Sequence, residues 1–209
     1  MTAPTGGCGP TGSPVIPEES VARRDAQAGQ RPVVLALGSN LGDRMANLQP
    51  GVAVIDSEGI AATFVSGVFE TAPVGGPEQD NYLNAVLLAV SALPARQILA
   101  RCAAAESAAG RVRTVRWGPR TLDVDVIICD DETYAEPDLT LPHPRAHERA
   151  FVLAPWLDVD PAAVLPGWGR VADLLAASSM AGVWRRPELR LSLPDHGFSD
   201  RDAGVTSCT

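Results

Sequence analysis

Apolar and polar positions along this chain group into short runs that predict alternating strands and helices. Val33–Leu37 is an apolar run ended by Gly38-Ser39-Asn40-Leu41-Gly42-Asp43, which predicts a strand and then a turn. Asp43 can cap a helix starting at Arg44, with Met45, Leu48, Val52 and Ile55 at helical spacing. Pro50 and Gly51 weaken that helix and bend it. A second strand is predicted over 61–69 and a third over 82–90, separated by the Pro- and Gly-rich stretch ETAPVGGPEQD. Pro94 opens a helix to about Ala109, with Ile98, Leu99, Cys102 and Ala105 inward and Gly110 as its stop. A strand over 120–128 would put Leu122, Val124, Val126 and Ile128 on one face and Asp123 and Asp125 on the other. After it come Leu139–Leu141, the segment PHPRAHERAFVLAPW, and a last helix near 170–177. Leu189, Leu191 and Leu193 alternate as a strand does, although Pro and polar residues surround them.

The order strand, helix, strand, strand, helix, strand, then short helices suggests an α+β sandwich with its helices on one side of a mostly antiparallel sheet. The ferredoxin-like arrangement fits best, with additional short C-terminal helices. Residues 1–31 are rich in Gly, Pro, Ser and Ala and read as a disordered leader. The folded domain is expected over 32–180, and 181–209 as a flexible tail.

Composition narrows the function. The chain has 209 residues and a net charge of −8, and all its basic residues are arginine. Without lysine there is no Walker-A loop, no kinase strand lysine and no pyridoxal Schiff base. The two ends are balanced in charge, so the centre carries the acidic excess, which argues against general nucleic-acid binding. Cys8, Cys102, Cys129 and Cys208 make no CxxC or metal-ligand spacing, and the N-terminus has no secretory pattern. No apolar run approaches membrane-spanning length. The expectation is a reduced, cytoplasmic, membrane-free protein.

Against that acidic background, RVRTVRWGPRTLDVDVI at 111–127 stands out. Arginine forks match phosphate oxygens, and carboxylates hold the hard cation that phosphates carry. A run of arginines is most often a solvated face, but Arg111, Arg113, Arg116 and Arg120 lie between Gly110 and Gly118-Pro119 and make a poor helix. Asp123 and Asp125 could be the plain exposed face of an edge strand, yet like charges on one face repel. Together the two groups favour a Mg²⁺–nucleotide site. The GSNLGD turn is weak evidence by itself, since its glycines more often serve a turn than a ligand. Tyr82 and Asn84 share a strand face and suit a flat heterocycle, while Trp117 and Phe151 could stack on a ligand or close a core edge. His143, fixed between Pro142 and Pro144, could reach a phosphate, and Glu106 could order the arginine loop by pairing. Two other classes stay open: a nucleic-acid-binding module using the Arg/Trp loop, and a catalytically silent interaction domain.

With those residues in place, the chain resembles the 6-hydroxymethyl-7,8-dihydropterin pyrophosphokinase family. GSNLGDR at 38–44, ETAPVGGPEQDNYLNAV at 70–86, GRVRTVRWGPRTLDVDVI at 110–127 and LTLPHPRAHERAFVLAPW at 139–156 carry the resemblance. It implies a ferredoxin-like fold and transfer of pyrophosphate from ATP to the pterin hydroxymethyl oxygen, releasing AMP, in folate biosynthesis. Asp123 and Asp125 would hold two Mg²⁺ ions. Arg111, Arg113, Arg116 and Arg120 would cover the triphosphate, the first two on a mobile loop. Glu106, the Val126 backbone, Thr140, His143 and Arg149 match other ATP-contacting positions. Tyr82 and Phe151 match the pair that sandwiches the pterin, with Asn84 reading its edge and Thr71, Ala72, Val74 and Trp117 around it. Ala72, Ala103, Asp138 and the Arg113-to-Arg116 spacing depart from the pattern. No general base stands out. The expected partners are the small-molecule substrates ATP and 6-hydroxymethyl-7,8-dihydropterin, with no nucleic acid and no membrane; the chain is expected to be a monomer, with room for association with neighbouring folate enzymes.

Overall fold

The computed structural model describes residues 29–57, 59–73, 77–111 and 118–194. Its centre is a six-stranded sheet. The middle strand β1 (Arg31–Ser39) pairs antiparallel with β4 (Tyr82–Ser91) on one side and β5 (Asp123–Cys129) on the other. Beyond β4, the next position is shared by β2 (Ile60–Val65) and β3 (Phe69–Thr71), both antiparallel to it. Strand β10 (Val183–Arg185) closes that edge against β3. Two small hairpins, β6 (Tyr134–Glu136) with β7 (Leu139–Leu141) and β8 (Val164–Leu165) with β9 (Gly169–Arg170), lie outside the sheet.

The single strand expected over 61–69 is two strands. Ser66 and Val86 still exchange bonds, the amide of Val86 donating to the Ser66 hydroxyl at 2.9 Å. Gly67 then turns its amide away to Asp158 Oδ2, at 2.9 Å. A side-chain hydroxyl competing with the ladder, followed by glycine, is enough to interrupt a strand.

Helices cover both faces of the sheet, which corrects the expectation of one. Helices α1 (Arg44–Ile55) and α2 (Ala95–Ala108) bury Leu48, Val52, Ile98 and Cys102 against Val33, Leu35, Leu37 and Leu87. On the opposite face, α3 (Ala150–Val159) and α4 (Val171–Ala177) bury Val152, Leu153, Trp156 and Val171 against Val34, Val86, Leu88 and Ile127. The sequence AFVLAPWLDV is apolar on nearly every side, so α3 has no amphipathic stripe to mark it as a helix. With cover on both faces, β1 and β4 become continuous apolar runs instead of alternating ones.

Several smaller expectations hold. Asp43 caps α1 by accepting from the Ala46 amide at 3.0 Å, Pro50 lies inside that helix, and Gly110 follows α2 with a left-handed φ of 70°. One does not: Ile128 leaves the face of Leu122, Val124 and Val126. A register shift between Val34 and Leu35 makes Val34 oppose Ile128 and Leu35 oppose Val126, so Ile127 is an extra residue. That bulge sends Ile127 and Ile128 together into the α3-side core.

The segment 181–194, expected to be part of a flexible tail, is packed. Strand β10 pairs with β3, and Leu189, Leu191 and Leu193 pack on the α1–α2 side of the core without forming a strand. Leader residues 1–28 and tail residues 195–209 lie outside the described residues. Among the described residues, no helix is long and apolar enough to cross a membrane.

Candidate active site

Strands β1, β3, β4 and β5 bring their ends together at one end of the sheet, around a cavity of about 320 Å³. Its walls are Ala36, Leu37, Gly38, Thr71, Ala72, Gln79, Tyr82, Asn84, Arg120, Asp123, Asp125, Arg149 and Phe151. Strand register explains the convergence. Gly38 of β1 stands between Asn84 of β4 and Asp123 of β5, while Thr71 pairs with Tyr82. A methyl at Gly38 would lie 3.2 Å from Asn84 Oδ1 and 3.7 Å from the Tyr82 ring, so glycine keeps the floor open between the two halves.

One half is flat and neutral. The Asn84 side-chain amide, 6% exposed, donates to the Thr71 hydroxyl at 2.7 Å, which fixes its plane. The Tyr82 hydroxyl lies 3.3 Å from Gln79 Oε1. Burial raises the Tyr82 phenol above its ordinary pKa, with Arg120 pulling the other way, so the ring stays neutral near neutral pH. Phe151, on the first turn of α3, lies under the Arg149 guanidinium, whose carbon is 5.4 Å from the ring centre.

The other half is charged. Asp123 and Asp125 point the same way from β5, as their spacing requires. Arg111 reaches Asp123 Oδ1 at 2.6 Å, and Arg120 pairs with Oδ2 of the same carboxylate. Burial disfavours the Arg120 charge, but Asp123 more than restores it, and the pKa sits above the ordinary value. Arg149 donates to Asp125 Oδ2 at 2.9 Å. The backbone amide of Arg145 donates to His143 Nδ1 at 3.2 Å, and burial holds His143 below its ordinary pKa. A neutral ring accepting at Nδ1 carries its proton on Nε2, which faces Asp125 Oδ2 at 3.7 Å. The 3.4 Å approach of Arg149 to Nε2 is then a contact between two donors, not a hydrogen bond.

Behind this half lies Glu106, 6% exposed on the last turns of α2. It pairs with Arg111 and accepts from the Val124 amide at 3.0 Å. Sequence reasoning singled out the partner arginine but not this backbone bond. It also passed over Asn40 and Gln79. Asn40 is 2% exposed and exchanges bonds with Arg120: its carbonyl oxygen Oδ1 accepts from the Arg120 amide at 2.8 Å, and its own amide donates to the Arg120 carbonyl at 3.1 Å. Its side-chain amide donates to Gln79 Oε1 at 3.0 Å and to the Asp80 carbonyl at 3.1 Å. An asparagine directly after a strand, inside the glycine-flanked GSNLGD turn, was the available signal.

Most of the residues singled out from sequence meet here. Thr71, Ala72, Tyr82, Asn84, Arg120, Asp123, Asp125, Arg149 and Phe151 line the cavity itself. Arg111, Glu106 and His143 touch its carboxylates or their strand. Thr140 is exposed on β7, its hydroxyl 3.4 Å from the Glu136 carbonyl, and Val126, expected to act through its backbone, buries its side chain in the α1–α2 core. Val74, Arg113, Arg116 and Trp117 lie outside the described residues.

An α+β sheet that sets paired aspartates among arginines beside a flat polar slot is suited to a phosphate-bearing ligand and a planar one. Residues 34–161 match the family described as 7,8-dihydro-6-hydroxymethylpterin-pyrophosphokinase (HPPK), and the chain belongs to that family. The 2-amino-4-hydroxy-6-hydroxymethyldihydropteridine pyrophosphokinase of Mycobacterium tuberculosis is 46% identical over 182 residues, covering 81% of this chain and 94% of that one. The enzyme of the same name from Bacillus subtilis is 40% identical over 126 residues, covering 60% and 75%. Among solved structures, the HPPK-DHPS of Plasmodium falciparum with SDX-DHP aligns with a TM-score of 0.54 at 12% identity. That alignment covers 70% of this chain and 43% of the longer one, and it is a likeness of fold. The family's reaction is transfer of pyrophosphate from ATP to hydroxymethyldihydropterin in folate synthesis.

Proposed function

We propose that this chain carries out the reaction as a Mg²⁺-dependent pyrophosphokinase, with ATP phosphates over Asp123 and Asp125 and the pterin in the slot of Tyr82, Asn84, Thr71 and Phe151. The observation that carries the reading is the single cavity joining a carboxylate pair to that slot. A ferredoxin-like description of the fold is supported by a βαββαβ order, with β2 and β3 counted as one interrupted strand, and by the run β3, β4, β1, β5 across the antiparallel sheet.

The donor set fits a hard cation. Asp123 and Asp125 offer carboxylate oxygens on one strand face, and among the described residues no larger His/Cys/Asp/Glu cluster gathers. Mg²⁺ usually takes one or two carboxylates and completes its shell with water and substrate phosphates. We expect two ions there, which when bound would neutralise phosphate charge during transfer. Arginine partners already sit on both carboxylates. In the bound state Arg111, Arg120 and Arg149 transfer their donors to phosphate oxygens, and Arg113 and Arg116 complete the cover. His143, with a proton on Nε2, offers one further donor.

Positioning and charge then do the chemical work. The pterin hydroxyl oxygen bonds to the β-phosphorus as the bond from that phosphorus to the α–β bridging oxygen breaks. AMP keeps the bridging oxygen, and the hydroxyl proton passes to solvent. Asn84, held by Thr71, fixes the heterocycle in its plane while Tyr82 and Phe151 hold its faces. Incubation with ATP, Mg²⁺ and 6-hydroxymethyl-7,8-dihydropterin should yield AMP and the pterin pyrophosphate. Formation of ADP would overturn the mechanism, and full activity in excess EDTA would overturn the metal dependence.

A further inference from the structure

The segment after α4 reaches the cleft from outside the family match, which ends at residue 161. Its strand β10 runs along β3, the three-residue strand that carries Thr71 into the cavity wall. A strand this short has little hold of its own. It is paired on one edge with β4 and on the other with β10, where Val183 opposes Thr71 and Trp184 opposes Glu70. Two backbone bonds extend the grip past the strand ends. Ala72, itself in the wall, donates its amide to the Gly182 carbonyl at 3.0 Å, and Arg186 donates its amide to the Val68 carbonyl at 2.8 Å. Gly182 has φ of 76°, and a methyl there would stand 3.3 Å from the Ala72 Cβ, so the turn fits closely against the wall.

Side chains add a second clamp. The Glu70 carboxylate is shared by two arginines: Arg186 from the C-terminal segment, and Arg44 at the start of α1, 2.9 Å away. Arg44 also donates to the carbonyl of Asn81 at 2.8 Å, one residue before Tyr82. Further on, the Ser192 backbone both donates to and accepts from the Gln49 side chain on α1, at 2.9 and 2.8 Å. The segment thus crosses the sheet edge and returns to the helix that follows the GSNLGD turn.

We infer that residues 182–186 form a strap that sets the Thr71–Ala72 wall of the cleft, with Arg186 as a positioning residue for the pterin through Glu70. This rests on the reading of that wall as the pterin end. The strap touches neither Asp123 nor Asp125, so its influence falls on one substrate and not the other. Arg190, exposed on the same segment but outside residues 182–186, serves as an internal control.

The test is steady-state kinetics on the full chain, varying each substrate at saturation of the other. Arg186→Ala should raise KM for the dihydropterin roughly tenfold, with KM for ATP and kcat within about twofold. Arg186→Lys should recover most of that loss, and Arg190→Ala should show none. Hydrogen exchange at the Ala72 amide should accelerate in Arg186→Ala and stay slow in Arg190→Ala. Equal increases in both KM values, or an unchanged dihydropterin KM, would overturn the inference. Faster Ala72 exchange in a protein whose wild type turns over no pterin would overturn the reading of the cleft, and with it the ligand assigned to the strap.

Discussion

The carboxylate of Glu106 accepts a hydrogen bond from the backbone amide of Val124 at 3.0 Å, between the two aspartates of β5. A helix residue thereby fixes the strand that carries both carboxylates, and the same carboxylate holds Arg111. Glu106 is 6% exposed, so removing it leaves a buried amide without that acceptor and a guanidinium with one partner fewer. Glu106→Ala should cost about 3 kcal/mol in stability, since breaking a buried charged pair is worth roughly 3–5 kcal/mol and Asp123 still holds Arg111. Glu106→Gln keeps the acceptor and should cost less. Chemical denaturation orders the two variants, and an Ala variant as stable as wild type would remove Glu106 from this role.

Asp123 and Asp125 face different cations. Asp123 is flanked by Arg111 and Arg120, and Asp125 by Arg149. If both hold Mg²⁺ with the ATP phosphates, Asp123→Asn and Asp125→Asn should each lower kcat by at least about 10²–10³-fold, as loss of a preorganised charge at a transferring group does. Magnesium titrations should shift to higher concentration in both. A variant with near-normal turnover at low magnesium would show that its carboxylate pairs arginines and nothing more.

The carboxylate pair was legible because strand periodicity is strict: residues two apart share a face whatever the surrounding fold. Helix α3 was not, because a helix buried on most sides loses the periodic contrast that marks one. Ile128 was misplaced by a bulge, which depends on the pairing of β1 with β5 and leaves no local trace in the sequence. The C-terminal segment failed for a related reason. Its leucines read as a stray strand because the surface they cover, formed by α1 and the sheet, is distant in sequence.

Asn40 teaches the same lesson about polar residues. Its side chain joins the loop at Arg120 to the loop at Gln79 and Asp80, so it latches the charged half of the cleft to the flat half. Asn40→Ala leaves the half-buried Arg120 amide without its acceptor, a cost of about 1 kcal/mol or more. KM for both substrates should rise, because both halves lose the same latch. A rise confined to one substrate would show that the loops are held independently.

Burial pushes the Cys102 thiol up to about 12, with Glu106 and Asp125 adding to the effect. An unfolded chain releases that proton near the ordinary value of 9.0, while the folded protein keeps it. Above that pH the native state binds more protons than the unfolded state, so stability should fall as pH rises from about 9 to about 12. The contribution is intact below about 9. Cys102→Ala loses this titration and should flatten that limb of the stability curve, at the expense of a small core cavity. Denaturation midpoints of the two proteins across pH 8 to 11, roughly the accessible part of that window, measure the difference in slope; identical slopes would mean the thiol already ionises in the folded state.

Leu191 tests whether the chain beyond residue 180 belongs to the folded unit. It is 9% exposed and packs in the same core as Leu48, Val52 and Ile55 of α1, although it follows the sheet's last strand in sequence. Leucine-to-alanine changes at buried sites cost about 2–5 kcal/mol, and a site near the edge of a core should fall toward the lower bound. Leu41 supplies the contrast, for it is 45% exposed and its truncation should change stability by no more than about 0.5 kcal/mol. Urea denaturation of Leu191→Ala and Leu41→Ala separates the two cases. A Leu191 variant indistinguishable from the Leu41 variant would return the segment to the status of a tail. A loss of about 2 kcal/mol, in one cooperative transition, would make the strap part of the same two-state unit as the cleft it borders.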